Sequence, residues 1–336
     1  MGGTMRTRLR GAVKGIAFAA AVGMFVVLLM GSTVTGTGSG EGCGTSWPLC
    51  NGRFIPEFAV ATAIEYSHRL VTGVEGILIL AASAGVLAFW RKRPEVRVLV
   101  PLMLFFLFLQ AALGALAVKF RNPDEVLALH FGISLIAFAS VMLTATLVRD
   151  IDSGFDALRD RVVSAGLRRA IWGLTIYTYG VVYLGAYVRH TNASLACLDW
   201  PLCQGSVFPG FTGPVGVVFT HRLAALILTL GVGWLLVRCW QGRQTRPDLA
   251  WAAAIALITL LAQSLSGAAV VFTRLGLFSS LAHGAIVTLF FGAMSYLCLH
   301  ALPRPRTVRD AERLGQPAGT ARATAPGYPA TTSPAD

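Results

Sequence analysis

The chain has 336 residues, of which 55% are hydrophobic and only 13% are charged, and its mean hydropathy is +0.65. This composition is too apolar for an ordinary soluble globular protein and indicates a polytopic membrane protein. The formal net charge of +12 does not indicate a nucleic-acid partner, because the basic residues cluster beside the ends of apolar segments on one side of the membrane. We therefore predict an all-α membrane fold without nucleic acid as a partner.

Eight apolar segments are long enough to cross a bilayer as helices. In chain order they cover residues 15–35, 62–90, 98–118, 125–148, 170–189, 215–237, 249–272 and 278–300. Most of the 28 basic residues lie before the first segment or after the second, fourth, sixth and eighth. The positive-inside rule then predicts a multi-pass plasma-membrane protein with both termini in the cytoplasm.

These segments divide the chain into five predicted regions. Residues 1–14 form a cytoplasmic N-terminus, 15–148 an N-terminal four-helix bundle, 149–169 a cytoplasmic linker and 170–300 a C-terminal four-helix bundle. Residues 301–336 are rich in Pro, Arg, Ala and Thr, so we expect a disordered cytoplasmic tail. The first segment lacks a clear signal-peptide cleavage site, and we interpret it as a retained helix.

A sequence pattern recurs at a spacing of 153 residues. The recurring pairs are Trp47-Pro48-Leu49-Cys50 with Trp200-Pro201-Leu202-Cys203, His68-Arg69-Leu70 with His221-Arg222-Leu223, Gln110 with Gln263, Gly114 with Gly267, Arg121 with Arg274, and His130 with His283. Because no insertion interrupts this spacing, the pattern indicates a duplicated structural unit. Four segments in each unit give both units the same orientation, so we predict two four-helix bundles related by a pseudo-twofold axis along the membrane normal.

Four histidines lie inside the apolar segments, two in each repeat: His68, His130, His221 and His283. An ionisable side chain within a membrane-spanning helix is costly and by default marks a functional site. Two imidazoles at matching depth in one bundle suit axial ligation of a haem iron. Hydrogen bonding to a neighbouring helix is the alternative. Zinc or copper suits the pattern less, since each unit offers only two imidazoles and no thiolate at that depth.

Acidic residues beside the first histidine distinguish the two repeats. Glu65 and Glu75 lie on the same helical face as His68, whereas Val218 and Leu228 stand at the matching positions of the second repeat. This asymmetry predicts a reactive N-terminal bundle and a C-terminal bundle that only holds a redox cofactor. Glu65 could act in proton movement or simply lie near the positive end of its helix.

Arginines directly follow the first histidine of each pair. Arg69 and Arg222 could bind haem propionates, which are carboxylates. Alternatively, they extend to lipid head groups.

Cysteines divide by location. Cys43 with Cys50, and Cys197 with Cys203, lie in the two long outer loops, 36–61 and 190–214, where local pairs favour disulfides. Their spacing differs from the C-x-x-C of dithiol catalysts, so a structural role is favoured over electron relay. We expect Cys239 and Cys298 to be reduced thiols. His190 and His300 have no repeat partner and are interpreted as loop and interface residues.

Together, several of these motifs resemble the heme A synthase family over roughly residues 15–300. The motifs are Gly42-Cys43 through Trp47-Pro48-Leu49-Cys50, Glu65-Tyr66-Ser67-His68-Arg69, His130, Thr220-His221-Arg222 and His283. The resemblance implies eight helices in two pseudo-symmetric bundles. It further implies oxidation of the C8 methyl group of haem O to a formyl group, which gives haem A for terminal cytochrome oxidases.

The same resemblance implies roles for individual residues. His221 and His283 would ligate haem b, His68 and His130 would surround the substrate haem O, and Glu65 would be the essential carboxylate. The pair Cys43 and Cys50 matches the outer-loop cysteines of many bacterial members. No motif identifies the electron donor or the oxidant, and functional proximity to the farnesyltransferase that makes haem O follows only from the poor solubility of that substrate.

Two other functions use parts of the same pattern. A quinol-linked membrane cytochrome with two b haems would use the four histidines but needs no carboxylate confined to one repeat. A membrane thiol-disulfide oxidoreductase would use the outer cysteines but leaves the matched histidines unexplained.

Overall fold

The computed structural model describes residues 2–303, and within them the chain is helical with short connections. The helices are α1 (Gly2–Gly36), α2 (Val60–Trp90), α3 (Val96–Lys119), α4 (Asp124–Asp150), a short α5 (Phe155–Arg159), α6 (Ala165–His190), α7 (Gly213–Gln241), α8 (Pro247–Phe272) and α9 (Leu277–Ala301). Residues Ile151–Ser153 form a single 3₁₀ turn. This part of the chain contains no β-strand, only two isolated bridges, Cys50 with Arg53 and Cys203 with Ser206.

All of these helices except α5 are long and apolar enough to span a membrane. The predicted number of eight is therefore confirmed. Most of their apolar surface faces outward; in α8 only 17% of the most apolar window is buried inside the protein. An outward-facing apolar surface of this extent requires a lipid environment. The chain is thus an all-α, multi-pass membrane protein.

The helices extend beyond several predicted boundaries. The region expected as an N-terminal extension, residues 2–14, continues α1 without a break. The expected linker, 149–169, contains the end of α4, the 3₁₀ turn and α5. In the tail, α9 ends at Ala301, and the remainder of the predicted disordered tail, 304–336, lies outside the described residues.

The four helices of each repeat pack in a closed ring. In the first, α1 contacts α2 and α4, and α3 contacts the same two helices, so α2 and α4 stand at opposite corners. In the second, α6 and α8 each contact α7 and α9, which likewise stand at opposite corners. The bundles meet where α1 contacts α9, α4 contacts α9 and α4 contacts α6. Exchanging each helix for its repeat counterpart reproduces these contacts, which is consistent with an approximate twofold relation, although α2 also touches α4 weakly.

Unusual backbone geometry recurs at the same 153-residue spacing. The peptide bonds Trp47-Pro48 and Trp200-Pro201 are both cis. Between α3 and α4 the chain turns through Arg121 and Asn122, and between α8 and α9 through Arg274 and Leu275; all four have positive φ. The duplication therefore extends to the local backbone conformation of the loops and turns.

The two longest connections lie at the same end of the bundles, which we name the loop end. The first loop covers 37–59 and the second loop covers 191–212. At the opposite end, which we name the arginine-rich end, buried ion pairs join the bundles. Arg159 bonds Glu95 as well as the backbone oxygens of Leu302 and Pro303, so the end of α9 is held to the connection between the repeats.

Candidate functional site

The four histidines occupy the opposed corners of the two bundles. His68 lies on α2 and His130 on α4, while His221 lies on α7 and His283 on α9. All four side chains are half-buried. Within each bundle the two histidine helices face each other across the interior rather than packing side by side. Cofactor sites in helix bundles are built from side chains on facing helices in this way.

A glycine on a neighbouring helix lies against each imidazole. A Cβ atom on Gly31 or Gly114 would stand 3.4 or 3.6 Å from Cε1 of His68 or His130. In the second repeat, a Cβ on Gly185 or Gly267 would stand 3.0 or 3.3 Å from Cε1 of His221 or His283. The absence of a side chain at these four positions gives each ring room on that side. The spacing between Gly31 and Gly185 is 154 rather than 153, so the sequence register did not reveal this pair.

Three of the imidazoles keep a buried nitrogen without a protein partner. Among residues 2–303, Nδ1 of His68, His130 and His221 finds no hydrogen-bond acceptor or donor. Buried polar atoms are almost always hydrogen-bonded in folded proteins, so three such atoms on the same type of side chain fit residues placed for a ligand. Paired imidazoles across a four-helix bundle fit the axial ligation of haem iron.

Only the ring of His283 is hydrogen-bonded at both nitrogens. Its Nδ1 lies 2.9 Å from the hydroxyl of Ser266, and its Nε2 lies 3.0 Å from the side-chain nitrogen of Gln263. In the first repeat the matching Gln110 donates instead to the backbone oxygen of His130, at 3.0 Å. The two repeats thus differ in how the second histidine of each pair is held.

The Glu65 carboxylate joins α2 to the first loop. One oxygen accepts a hydrogen bond of 2.8 Å from the backbone N–H of Cys43, and the other accepts one of 2.5 Å from the guanidinium of Arg69. The side chain of Glu65 is buried, with 3% of its surface exposed. Glu65 is therefore an oriented buried acid one helical turn from His68.

Arg69 and Arg222 bind loop carbonyls in the same way in both repeats. Arg69 donates to the backbone oxygens of Ser46 and Leu49, at 2.7 and 2.6 Å. Arg222 donates to the matching oxygens of Asp199, at 2.9 Å, and of Leu202. The sequence interpretation offered haem propionates or lipid head groups as partners and missed this one. Each arginine holds its loop against the helix that carries the first histidine.

Both loops are closed by the cysteine pairs singled out from the sequence. Cys43 is joined to Cys50, and Cys197 to Cys203, as disulfides. Gly42, beside the first disulfide, comes so close to α2 that a Cβ there would lie 2.5 Å from the backbone of Ala61. The first loop thus packs directly on the helix that carries Glu65 and His68.

Apolar packing replaces the carboxylate contact in the second repeat. Val218, at the position that matches Glu65, is buried in a cluster with the second disulfide.

Asp199 of the second loop accepts hydrogen bonds of 2.7 and 2.8 Å from the backbone N–H groups of Gly205 and Gln204. These bonds, the one from Gly205 foremost, lower the pKa of Asp199 below its ordinary value. They stabilise the turn that follows Cys203.

Glu75 lies deeper in the same bundle without a polar contact. The side chain is 3% exposed, and neither carboxylate oxygen has a hydrogen-bond partner within residues 2–303. A Cβ added to Gly23 on α1 would stand 1.9 Å from one of these oxygens, so the carboxyl group occupies the space that this glycine leaves. Leu228, at the matching position in α7, is buried and apolar.

The remaining histidines were interpreted as loop and interface residues. Neither lies in a loop, but the contacts of buried His300 with Asp150 of α4 and Asp248 of α8 agree with an interface residue. His190 lies in the last turn of α6 and approaches Asp124 at 3.2 Å. His300 lies in the last turn of α9, where it is 1% exposed, stacks on Tyr296 and contacts Asp248 at 3.1 Å. Each of these helices ends one residue beyond its predicted apolar segment. Cys239 and Cys298 are buried free thiols.

The fold and the site define a class of protein: a helical membrane protein whose two repeats each place a histidine pair across a four-helix bundle. A family model described as "Cytochrome oxidase assembly protein", COX15-CtaA, matches residues 55–295. The chain is 43% identical over 296 residues to a heme A synthase of Geobacillus kaustophilus, with 86% of this chain and 92% of the relative covered. It is 41% identical over 298 residues to that of Symbiobacterium thermophilum, with 87% and 96% covered, and 41% identical over 293 residues to that of Bacillus licheniformis, with 86% and 95% covered.

The chain therefore belongs to the heme A synthase family, as the sequence motifs indicated. It is an enzyme of haem A biosynthesis.

Proposed function

We propose that this protein is an oxidoreductase that converts the C8 methyl group of haem O to the formyl group of haem A. The N-terminal bundle, with His68, His130 and Glu65, is the substrate site. The C-terminal bundle holds haem b through His221 and His283, and this haem supplies one-electron redox chemistry when bound.

One observation carries this assignment: the two bundles share a backbone and a histidine pair, but only the first has a buried, oriented carboxylate. Glu65 is held by Cys43 and Arg69, whereas Val218 at the matching position is apolar. Oxidation of a methyl group releases protons, and a positioned carboxylate can accept them or stabilise developing positive charge. A bundle that only retains a redox cofactor needs no such group.

Three features support the substrate site in the N-terminal bundle. Nδ1 of both His68 and His130 lacks a protein partner within residues 2–303. Gly31 and Gly114 leave space beside the two rings. The first loop covers this end of the bundle and is held by Arg69, so that the loop limits the access of water to the reacting group.

Besides holding the loops, Arg69 and Arg222 are proposed to bind the haem propionates. Each guanidinium has five N–H donors, of which the loop carbonyls take only some. A propionate near the loop end could share the same guanidinium. Haem O and haem A are the proposed substrate and product, and the farnesyltransferase that makes haem O is the proposed neighbour in the membrane.

The orientation in the membrane follows from charge. Arg159, Arg161, Arg168 and Arg246 lie at the arginine-rich end, so the positive-inside rule places this end and both termini in the cytoplasm. The loop end, with its two disulfides, then faces the oxidising side. A reporter fused after residue 336 that is active only outside the cytoplasm should stay inactive, and activity there would reverse the orientation.

The function is tested by expressing the chain with a source of haem O, extracting the haems and resolving them chromatographically. The unaltered protein should yield haem A or hydroxylated haem O. Glu65→Ala should abolish both while haem b remains bound. Glu57→Ala is the matched control, because Glu57 is an exposed acid of the first loop paired only with Arg53, and it should leave the product unchanged.

The outcomes separate the candidate functions. Haem b alone under all conditions would indicate an electron-transfer cytochrome. Absence of any haem would indicate thiol chemistry at the cysteine pairs.

A further inference from the structure

Ser266 on α8 determines the tautomer of one of the four histidines. Its hydroxyl lies 2.8 Å from the backbone oxygen of Gln263 and 2.9 Å from Nδ1 of His283. A carbonyl oxygen only accepts, so the single hydroxyl proton of Ser266 goes to Gln263. The oxygen of Ser266 is then the acceptor for His283, and Nδ1 of that ring carries the proton.

The side chain of Gln263 supports the same tautomer from the other edge of the ring. Its amide nitrogen lies 3.0 Å from Nε2 of His283, and an amide N–H donates. Nε2 of His283 is therefore the unprotonated nitrogen, and its lone pair accepts the hydrogen bond from Gln263. This is the atom that a metal binds in a histidine whose Nδ1–H is already hydrogen-bonded.

The first repeat lacks this arrangement. Leu113 stands at the position that matches Ser266. The side chains of Ser134 and Gln110 both donate to the backbone oxygen of His130, at 2.7 and 3.0 Å, and do not reach its ring. Within residues 2–303, Nδ1 of His130 has no partner. The ring of His130 is thus positioned by packing alone.

We propose that Ser266 is a positioning residue that would make His283 a permanent, strongly donating ligand of a haem iron in the C-terminal bundle. An acceptor for Nδ1–H fixes the orientation of the ring and raises the basicity of the ligating nitrogen. A more basic ligand stabilises ferric iron and lowers the reduction potential of the haem. The inference rests on the proposed function, since it assumes haem b in the C-terminal bundle. It adds a reason why that bundle retains its haem while the N-terminal bundle exchanges substrate for product.

The experiment compares Ser266→Ala with Ser264→Ala in the full-length protein, purified in detergent with its haem. Ser264 lies on the same helix, but its hydroxyl bonds only the backbone oxygen of Leu260, at 3.2 Å. The readouts are the rate at which haem b passes to excess apomyoglobin and the midpoint potential of the bound haem. Ser266→Ala should release haem roughly 10- to 100-fold faster, as loss of a hydrogen bond to a ligating histidine typically does, and its potential should rise. Ser264→Ala should match the unaltered protein.

Ser266→Thr keeps the hydroxyl and should restore both the slow release and the low potential. A purely structural role of Ser266 would alter the thermal stability of the protein without moving the potential. If Ser266→Ala does not give monodisperse protein, Ser266→Cys preserves the volume with a weaker acceptor and should show the same changes to a smaller degree.

The failure of this inference is distinguishable from the failure of the proposed function. Unchanged release and potential in Ser266→Ala, with haem still bound through His283, overturn the inference alone. Absence of haem b from the unaltered protein, or an unchanged haem spectrum in His283→Ala, overturns both.

Discussion

The two loops at the loop end show which contacts the duplicated scaffold needs and which serve chemistry. Arg69 and Arg222 bind carbonyl groups at matching positions of their loops, and each loop contains a disulfide. The second loop is held without any carboxylate at position 218. Closing a loop over its bundle therefore does not require an acid at this position of the helix, as expected if Glu65 serves the proposed chemistry.

The difference at this position is also electrostatic. Glu65 introduces a negative charge beside the disulfide loop and keeps it there with Arg69 and the Cys43 amide. Val218 contributes only apolar contacts with Cys197 and Cys203. Replacing even a well-paired buried charge by an apolar residue of similar volume is often neutral or stabilising, so a scaffold selected for stability alone would not need the carboxylate. The repeats thus differ in the side chain at this position, while both loops keep a disulfide and a cis Trp-Pro bond.

The largest effect is expected from replacing the two arginines separately. Arg69→Lys removes the planar guanidinium that holds both Glu65 and the first loop, and a lysine cannot make these contacts together. Because a misplaced catalytic group can cost about 100-fold in rate, haem A formation should fall by roughly that factor. Arg222→Lys makes the same chemical change in the second repeat and should leave most of the activity. Both variants should unfold at lower temperature, and the product is quantified by haem extraction. Equal losses of activity would show that the two loops are equivalent.

A smaller difference is expected from removing the disulfides in turn. One double variant carries Cys43→Ser and Cys50→Ser, and the other carries Cys197→Ser and Cys203→Ser. Each variant opens a short loop, which should cost about 2–3 kcal/mol of stability. Only the first pair should also lower activity, by about tenfold, because the Cys43 amide no longer holds Glu65 and a hydrogen bond to a charged group is worth about 1.5–3 kcal/mol. Thermal unfolding and haem A yield measure the two effects. Loss of activity from the second pair alone would contradict the assignment of the reactive bundle.

Much of the fold could be predicted because membrane helices are recognisable from composition. The apolar segments predicted all eight spans. The 153-residue spacing matched Trp47-Pro48 with Trp200-Pro201, but it did not indicate that both peptide bonds are cis. The helix ends were less predictable. His300 lies within the predicted segment, but its buried partner, Asp248, lies on another helix, and such long-range pairing leaves no local signal.

The residues of the candidate site were predictable where the repeat made them stand out. The repeat and its exceptions identified five residues: His68, His130, His221, His283 and Glu65. Ser266 was not, because a single serine opposite Leu113 resembles ordinary variation. The loop contacts of Arg69 and Arg222 depend on the folded path of each loop, and the sequence offered only propionates and lipid as partners for a cation at that depth.

The smallest effect is expected from Glu75, where the repeats differ in the bundle interior. Glu75→Leu installs the residue of the matching position, Leu228, and removes a buried carboxyl group without a hydrogen-bond partner in residues 2–303. Replacing an unsatisfied buried polar group by an apolar one of similar size should stabilise the bundle by about 1–3 kcal/mol. The midpoint of thermal unfolding in detergent should therefore rise, with haem A formation unchanged. The reciprocal Leu228→Glu should lower it by at least as much. If Glu75→Leu instead folds well but makes no haem A, Glu75 takes part in proton movement, and the acid chemistry of the first repeat extends from the loop end into the centre of the bundle.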